Sequence, residues 1–255
     1  MALRRLRTTC LLAGLALAFW VLPGDAWAQG SGPSARLVTL QGIRAATVAP
    51  SGLGFAALAL SSRRSGPGGY IQDADGSSVV GFGLGDANKG VGLQVMANIT
   101  SLKSSFGDSG HLSIKASRRM TAQTPTFVGL SMDRLAGWGD AKGVKPAVSV
   151  QLTWFPQTEI AGQTYPLMMT IGAGSHLAHN GRDPAVFFGA GIGLSANFGA
   201  SLAWTGDTVT LGSAFRVDGL RNVTFAANLD DAFDQNDSRR VGLSATWLID
   251  GLFGG

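Results

Sequence analysis

The chain has 255 residues, a formal net charge of +4, 37 glycines, one cysteine and 14% charged residues, against a charged share near ~25% in average soluble domains. So little charge does not coat a water-soluble surface of this size, and no basic patch interleaved with aromatics is present to bind nucleic acid. The lone cysteine, Cys10, excludes a disulfide framework and leaves no thiol chemistry in the body of the chain.

The first residues read as an export signal. Arg4, Arg5 and Arg7 precede an apolar run from Cys10 to Leu22, Pro23 and Gly24 break that run, and Ala26-Trp27-Ala28 places small residues where a signal peptidase reads. This predicts a secretory signal peptide over 1–28, cleaved after Ala28. The run of about thirteen residues is too short for a spanning helix, which needs ~20. Arg7, Thr8 and Thr9 ahead of Cys10 do not suit a lipid-modified cysteine. The segment 29–50 is expected to be a leader, lying in the periplasm or folded into a lumen as a plug. Residues 51–255 read as a single domain.

From there the chain alternates with a period of two, the signature of strands with two unlike faces. After a weak stretch at 53–62, residues 77–85 put Val80, Phe82 and Leu84 on one face. The stretch 89–102, KGVGLQVMANITSL, puts Val91, Leu93, Val95, Ala97 and Ile99 on one face and Gly92, Gln94, Met96 and Asn98 on the other. The pattern repeats at 110–119, 126–134, 147–155, 165–177, 186–194, 198–204, 208–217, 223–230 and 240–249. About twelve strands result, each close to the length that a tilted strand needs to cross a bilayer. Turn-rich joins separate them, such as Asp86-Ala87-Asn88-Lys89-Gly90 and Gly107-Asp108-Ser109-Gly110. Longer loops are expected at 136–146 and 156–166.

The polar face decides where the apolar face points. In a soluble antiparallel sheet the water-facing side carries many Lys, Glu and Arg. Here it is mostly Gly, Ser, Thr, Ala, Asn and Gln, which suits a barrel interior. By strand parity its charges are Lys115, Arg119, Asp133, Arg216, Asp218 and Asp230, the candidate lumen-lining residues. Tyr165, Trp154, Trp204 and Trp247 fall near strand ends on the apolar side, where interfacial aromatics sit. The expected fold is all-β: a transmembrane up-and-down antiparallel β-barrel of about 12 strands, which also removes exposed sheet edges.

Four stretches carry resemblances. GFGLGDANKGVGLQVMANITSL together with FGDSGHLSIKASRR resembles a group of porin-like bacterial outer-membrane β-barrel proteins. Arg240-Val241-Gly242-Leu243-Ser244-Ala245-Thr246-Trp247 is similar to the assembly signal of such barrels, which usually ends the chain in Phe or Trp. Here the chain runs on to Gly255, and Phe253 keeps the parity of Trp247 and Ile249. Residues 45–53 resemble the Asn-Pro-Ala-Gly-Leu segment of long-chain fatty-acid transporters, with Ala49 in place of Asn and Ser51 in place of Ala. These likenesses imply a Gram-negative outer-membrane location. They also imply contact with outer-membrane lipid and lipopolysaccharide, and passage through the barrel assembly machinery.

Other motifs carry less. Gly191-Ile192-Gly193-Leu194 matches the loose dinucleotide fingerprint, but alternation continues through it where a helix should begin, so these are inward glycines of a strand. His176 and His179 have Asp183 as their one further candidate ligand, short of a metal site. His179-Asn180-Gly181 is similar to part of the site of outer-membrane lipid hydrolases, but the serine that such chemistry needs is missing. Asp230, Asp231, Asp234 and Asp237 lack the spacing of a calcium loop. No catalytic residue, cofactor or metal is expected. The functional expectation is a passive porin-like channel or transport scaffold for small solutes. The alternatives are a hydrophobic-substrate transporter and a non-conducting barrel that presents its loops.

Overall fold

A computed structural model describes residues 36–64, 71–100, 102, 106–121, 123–220 and 222–253. The expected signal peptide and the first part of the leader lie outside these residues.

The alternating stretches form β1 (Gly54–Arg64), β2 (Ile71–Gly85), β3 (Gly92–Ile99), β4 (Gly110–Thr121), β5 (Thr126–Trp138) and β6 (Ala147–Trp154). They continue as β7 (Gln157–Ile160), β8 (Gln163–Leu177), β9 (Asp183–Gly193), β10 (Phe198–Trp204), β11 (Val209–Phe215), β12 (Val223–Asp230) and β13 (Arg240–Ile249). Every strand pairs antiparallel with its neighbour. β6 skips β7 to pair with β8, from Ser149 opposite Gly174 to Trp154 opposite Met169. β1 pairs with β13, from Gly54 opposite Ile249 to Ser61 opposite Gly242. These pairings close a twelve-stranded barrel, so neither side of any wall strand is left with an unpaired row of N–H and C=O groups.

Burial follows the sequence parity. Val91, Val150, Phe188 and Leu243 face outward with about half of their surface bare, and Leu58, Leu60, Val80 and Leu202 join them. Gln94, Ser113, Gln151, Thr153, Thr170 and Thr246 face inward and are fully buried. A continuous apolar exterior around a closed sheet is the surface of a barrel made for lipid. Among the described residues no helix is long and apolar enough to cross a membrane.

The ends of the barrel differ. One rim, here the near rim, holds the start of β1, the end of β13 and the connections β2–β3, β4–β5, β6–β8, β9–β10 and β11–β12. The far rim holds the others, including the single helical turn Ala178–Gly181 and the 231–239 loop.

Two segments depart from the sequence expectation. The stretch 156–166, expected as a loop, folds into the β7–β8 hairpin, with Gln157 opposite Pro166 and Ile160 opposite Gln163. Its two-residue turn, Ala161-Gly162, has both residues at positive φ (51° and 74°), the backbone that matches the twist of a tight hairpin. The parity of Phe253 suggested that the last strand continues, but β13 stops at Ile249. Gly251 turns the chain at φ 77°, Leu252 N donates to Gly52 O at 3.0 Å, and Phe253 packs edge-on against Phe82 with centroids 5.5 Å apart. The tail therefore folds back over β1 and β2 on the outside of the barrel.

Candidate functional site: an occupied lumen

The lumen contains the chain's own leader. Residues 36–50 have no regular secondary structure, yet Leu37, Val38, Thr39, Leu40, Gln41, Ile43 and Ala46 are all buried. The segment forms a U. It enters at the near rim, where Leu37 N donates to Ser195 O at 2.8 Å in the β9–β10 turn. It reverses at Gly42, whose φ is +84°, beside Thr210 of β11. It returns past β5, β6 and β4 to Ser51, whose N–H donates to Gly85 O at 3.0 Å, and runs on into β1.

Side chains of the wall, rather than a sheet ladder, hold the main chain of this plug. Gln41 N donates to Ser201 Oγ at 3.1 Å, Ala46 N to Thr153 Oγ1 at 2.8 Å, and Ala49 N to Gln94 Oε1 at 2.9 Å. In the other direction, Lys115 Nζ donates to Thr47 O at 3.2 Å and Gln151 Nε2 to Ala45 O at 3.4 Å. The inward Ser, Thr and Gln residues thus serve as partners for an extended backbone that would otherwise be buried unsatisfied.

Inward glycines make the room. A side chain at Gly191 would overlap the carbonyl oxygen of Thr39, and one at Gly83 would overlap that of Ala49. Gly199 stands in the same relation to the Leu37 carbonyl, and a side chain at Gly212 would overlap that of Gln41. The Gly191-Ile192-Gly193 stretch is part of this close approach.

The plug also brings an apolar filling. Val38, Leu40 and Ile43 pack with Met168, Phe187 and Ala203 of the wall. Ala49 and Leu53 pack with Phe55, Val79 and Met96. Met96 is thereby explained: it is apolar on the polar side of its strand because a plug, not water, meets it.

Charge concentrates near the tip of the U. Arg44 Nε donates to Asp133 Oδ2 at 3.0 Å, both largely buried. Lys115, His111 and Arg134 lie within electrostatic reach of the same carboxylate. Arg134 also reaches from β5 to the carbonyl of His176, which has a φ of 52°.

At the near rim the outer leg of the plug is clamped. Arg36 donates to the Leu194 carbonyl and, at 3.3 Å, to Gln163 Oε1. Its guanidinium lies over the Tyr165 ring, 4.3 Å from the centroid, so the β7–β8 hairpin supplies a cation–π contact.

Of the six charged residues expected in the lumen, Lys115, Asp133 and Asp230 are buried inside the barrel. Asp230 accepts from Thr210 Oγ1 at 3.1 Å and stands opposite Arg240 in the β12–β13 ladder. Arg119, Arg216 and Asp218 sit at the near rim instead. Arg119 donates to Thr121 O and Asn88 Oδ1. β11 ends at Phe215, so Arg216 and Asp218 fall in the turn that follows, where Asp218 accepts from Asn197 Nδ2 at 3.0 Å. Sequence parity missed Arg44 because the leader has no strand pattern to carry a parity.

His179 Nδ1 lies 3.1 Å from Asp183 Oδ2 on the exposed far rim. Among the described residues no three His, Cys, Asp or Glu side chains come together as a metal site. Asp231 organises its loop, its carboxylate accepting from the N–H groups of Gln235, Asn236 and Ser238 and from the Ser238 hydroxyl.

Solved structures similar to the chain include outer membrane protein Omp33 of Acinetobacter baumannii, at 12% identity over 77% of this chain and 97% of that one, with a TM-score of 0.45. An outer membrane channel of Pseudomonas putida F1 matches at 10% identity over 79% of this chain and 97% of its own, with a TM-score of 0.45. The attachment invasion locus protein Ail of Yersinia pestis, solved with the heparin analogue sucrose octasulfate, matches at 10% identity over 78% and 99%, with a TM-score of 0.23. No family model and no curated protein matches the chain. The functional reading therefore rests on the lumen itself.

Proposed function

We propose that the protein is a porin-like channel of the Gram-negative outer membrane that passes small solutes through its barrel. The observation that carries this reading is the chemistry of the inward face. Gln94, Asn98, Ser131, Ser149, Gln151 and Thr170 are neutral hydrogen-bonding groups on a wall whose exterior is apolar. Gln94 and Gln151 here bond the plug; with the plug displaced, such groups replace the hydration of a small polar solute bond by bond without trapping it, as a permeation path requires. In this reading Lys115, Asp133 and Asp230 set which solutes pass, and Arg119, Arg216 and Asp218 act on their approach at the near rim. No catalytic step is assigned to any residue.

A second reading, a non-conducting barrel that presents its far-rim loops, draws on the burial of the leader in the lumen. Planar-bilayer recording separates the two. Unitary conductance from the purified protein, or from a variant lacking 29–49, supports the channel. Silence from both overturns it in favour of the non-conducting barrel.

A further inference from the structure

The plug is tied down unevenly. Its ends are fixed to near-rim backbone, Leu37 to Ser195 and Ser51 to Gly85, and Arg36 is held by Leu194, Gln163 and Tyr165. Between those ends, among the described residues, wall side chains rather than wall backbone hold the main chain: Gln41, Ala46 and Ala49 donate to Ser201, Thr153 and Gln94, and Ala45 and Thr47 accept from Gln151 and Lys115. None of the barrel's ladders includes residues 39–47, and the barrel closes through β1–β13 and β6–β8 without them. Because both legs of the U leave by the same rim, the middle can retreat without threading the chain through the barrel.

The middle packs Leu40 and Ile43 against Met168, Phe187 and Ala203, and its charged anchor is an ion pair, Arg44 with Asp133. A buried ion pair gives back in attraction about what it costs in lost hydration, so it fixes a position while adding little to the total cohesion of the fold. Lys115 stands next to this pair, bonded to the plug carbonyl of Thr47, and can compensate Asp133 when Arg44 leaves. The departing Arg44 regains water. The wall is thus built to accept both arrangements of charge.

We infer that residues 39–47 are a tethered gate for the channel proposed above, latched shut by Arg44 on Asp133 and opened by retreat toward the near rim. This inference rests on the channel reading.

The test uses the full chain. A Cβ at Gly129 would lie 3.1 Å from the Ala46 Cβ and 2.8 Å from its Cα, so the plug must move out by about half an ångström to reach the ~3.5–4.5 Å Cβ separation of a disulfide. The variant Ala46→Cys/Gly129→Cys is oxidised, its closure is verified by loss of free thiols, and it is recorded in a planar bilayer before and after reductant. The expected result is silence when oxidised and conductance when reduced. Equal conductance in both states overturns the gate and leaves the channel standing. Silence in both states also overturns the gate, and the variant lacking 29–49 then reports on the channel independently. In Arg44→Gln, which lacks the latch charge, the open fraction should rise at least about tenfold. An unchanged open fraction removes Arg44 as the latch.

Discussion

Arg44 Nε sits 3.0 Å from Asp133 Oδ2, joining the tip of the leader to strand β5 inside the barrel. This contact links a segment with no strand pattern to a wall made almost entirely of strand pattern, and most of what is testable follows from it.

Breaking the pair from one side leaves a buried charge without its partner. Asp133→Ala, which strands the buried Arg44 guanidinium, should destabilise the folded barrel by ~3–5 kcal/mol, and Arg44→Ala should cost less because Lys115 stands within reach of Asp133. The double variant Arg44→Met/Asp133→Leu should cost much less than the sum of the single changes. Urea unfolding in detergent micelles, followed by tryptophan emission, gives the three values. Additive losses would show that the two residues are not coupled.

The inward glycines make a second prediction. Gly191→Ala drives a methyl into the Thr39 carbonyl, whereas a Cβ at Gly90 meets nothing within 4 Å. Overpacking of this kind costs ~1–3 kcal/mol, so Gly191→Ala should lower the unfolding midpoint and Gly90→Ala should leave it unchanged. Equal effects would mean that the plug does not approach the wall at Gly191.

The 231–239 loop should be acid-sensitive. Burial raises the Asp231 carboxyl, but the N–H groups of Asn236, Ser238 and Gln235 and the Ser238 hydroxyl outweigh it and hold it below its ordinary value. A depressed carboxyl stabilises the fold above its unfolded-state pKa, near ~3.9, and that contribution is lost as pH falls through the folded value. Wild type should therefore lose loop order below the ordinary carboxylate range. Asp231→Asn should be looser at neutral pH and change less across the same window. Limited proteolysis of the loop after pre-incubation at each pH reads both, and parallel profiles would contradict the assignment.

The β7–β8 turn carries a small strain. Ala161 occupies a left-handed backbone conformation (φ 51°) ahead of Gly162, where Asn-Gly is preferred. Ala161→Asn should slow amide exchange across the hairpin, by an amount equivalent to up to ~1 kcal/mol. Faster exchange would contradict the turn geometry.

Much of the wall was legible because a strand with lipid on one side and polar groups on the other writes both faces into every second residue. Val91, Leu93 and Val95 alternating with Gly92, Gln94 and Met96 is enough to place β3. The plug was not legible in that way. Residues 36–50 follow no period, since their burial comes from being surrounded on all sides. The one local sign was Met96, an apolar residue on the polar face, and the inward glycines read as spacing before they read as room for a backbone. Strand ends were the weak point for the site: Arg216 and Asp218 continue the parity of β11 on paper, but the strand stops at Phe215. The β7–β8 hairpin was missed because its turn is Ala-Gly, without the Asn or Asp that usually announces one.

The claim on which everything else depends is that the apolar parity faces lipid while the polar parity faces an occupied lumen. Single cysteines at 91 to 99 along β3, each carrying a nitroxide and reconstituted in bilayers, test it by collision with oxygen, which concentrates in the hydrocarbon. Oxygen accessibility should alternate with a period of two, with maxima at Val91, Leu93, Val95, Ala97 and Ile99 and minima at Gln94, Met96 and Asn98. Maxima at Gln94, Met96 and Asn98, or no alternation, would contradict it.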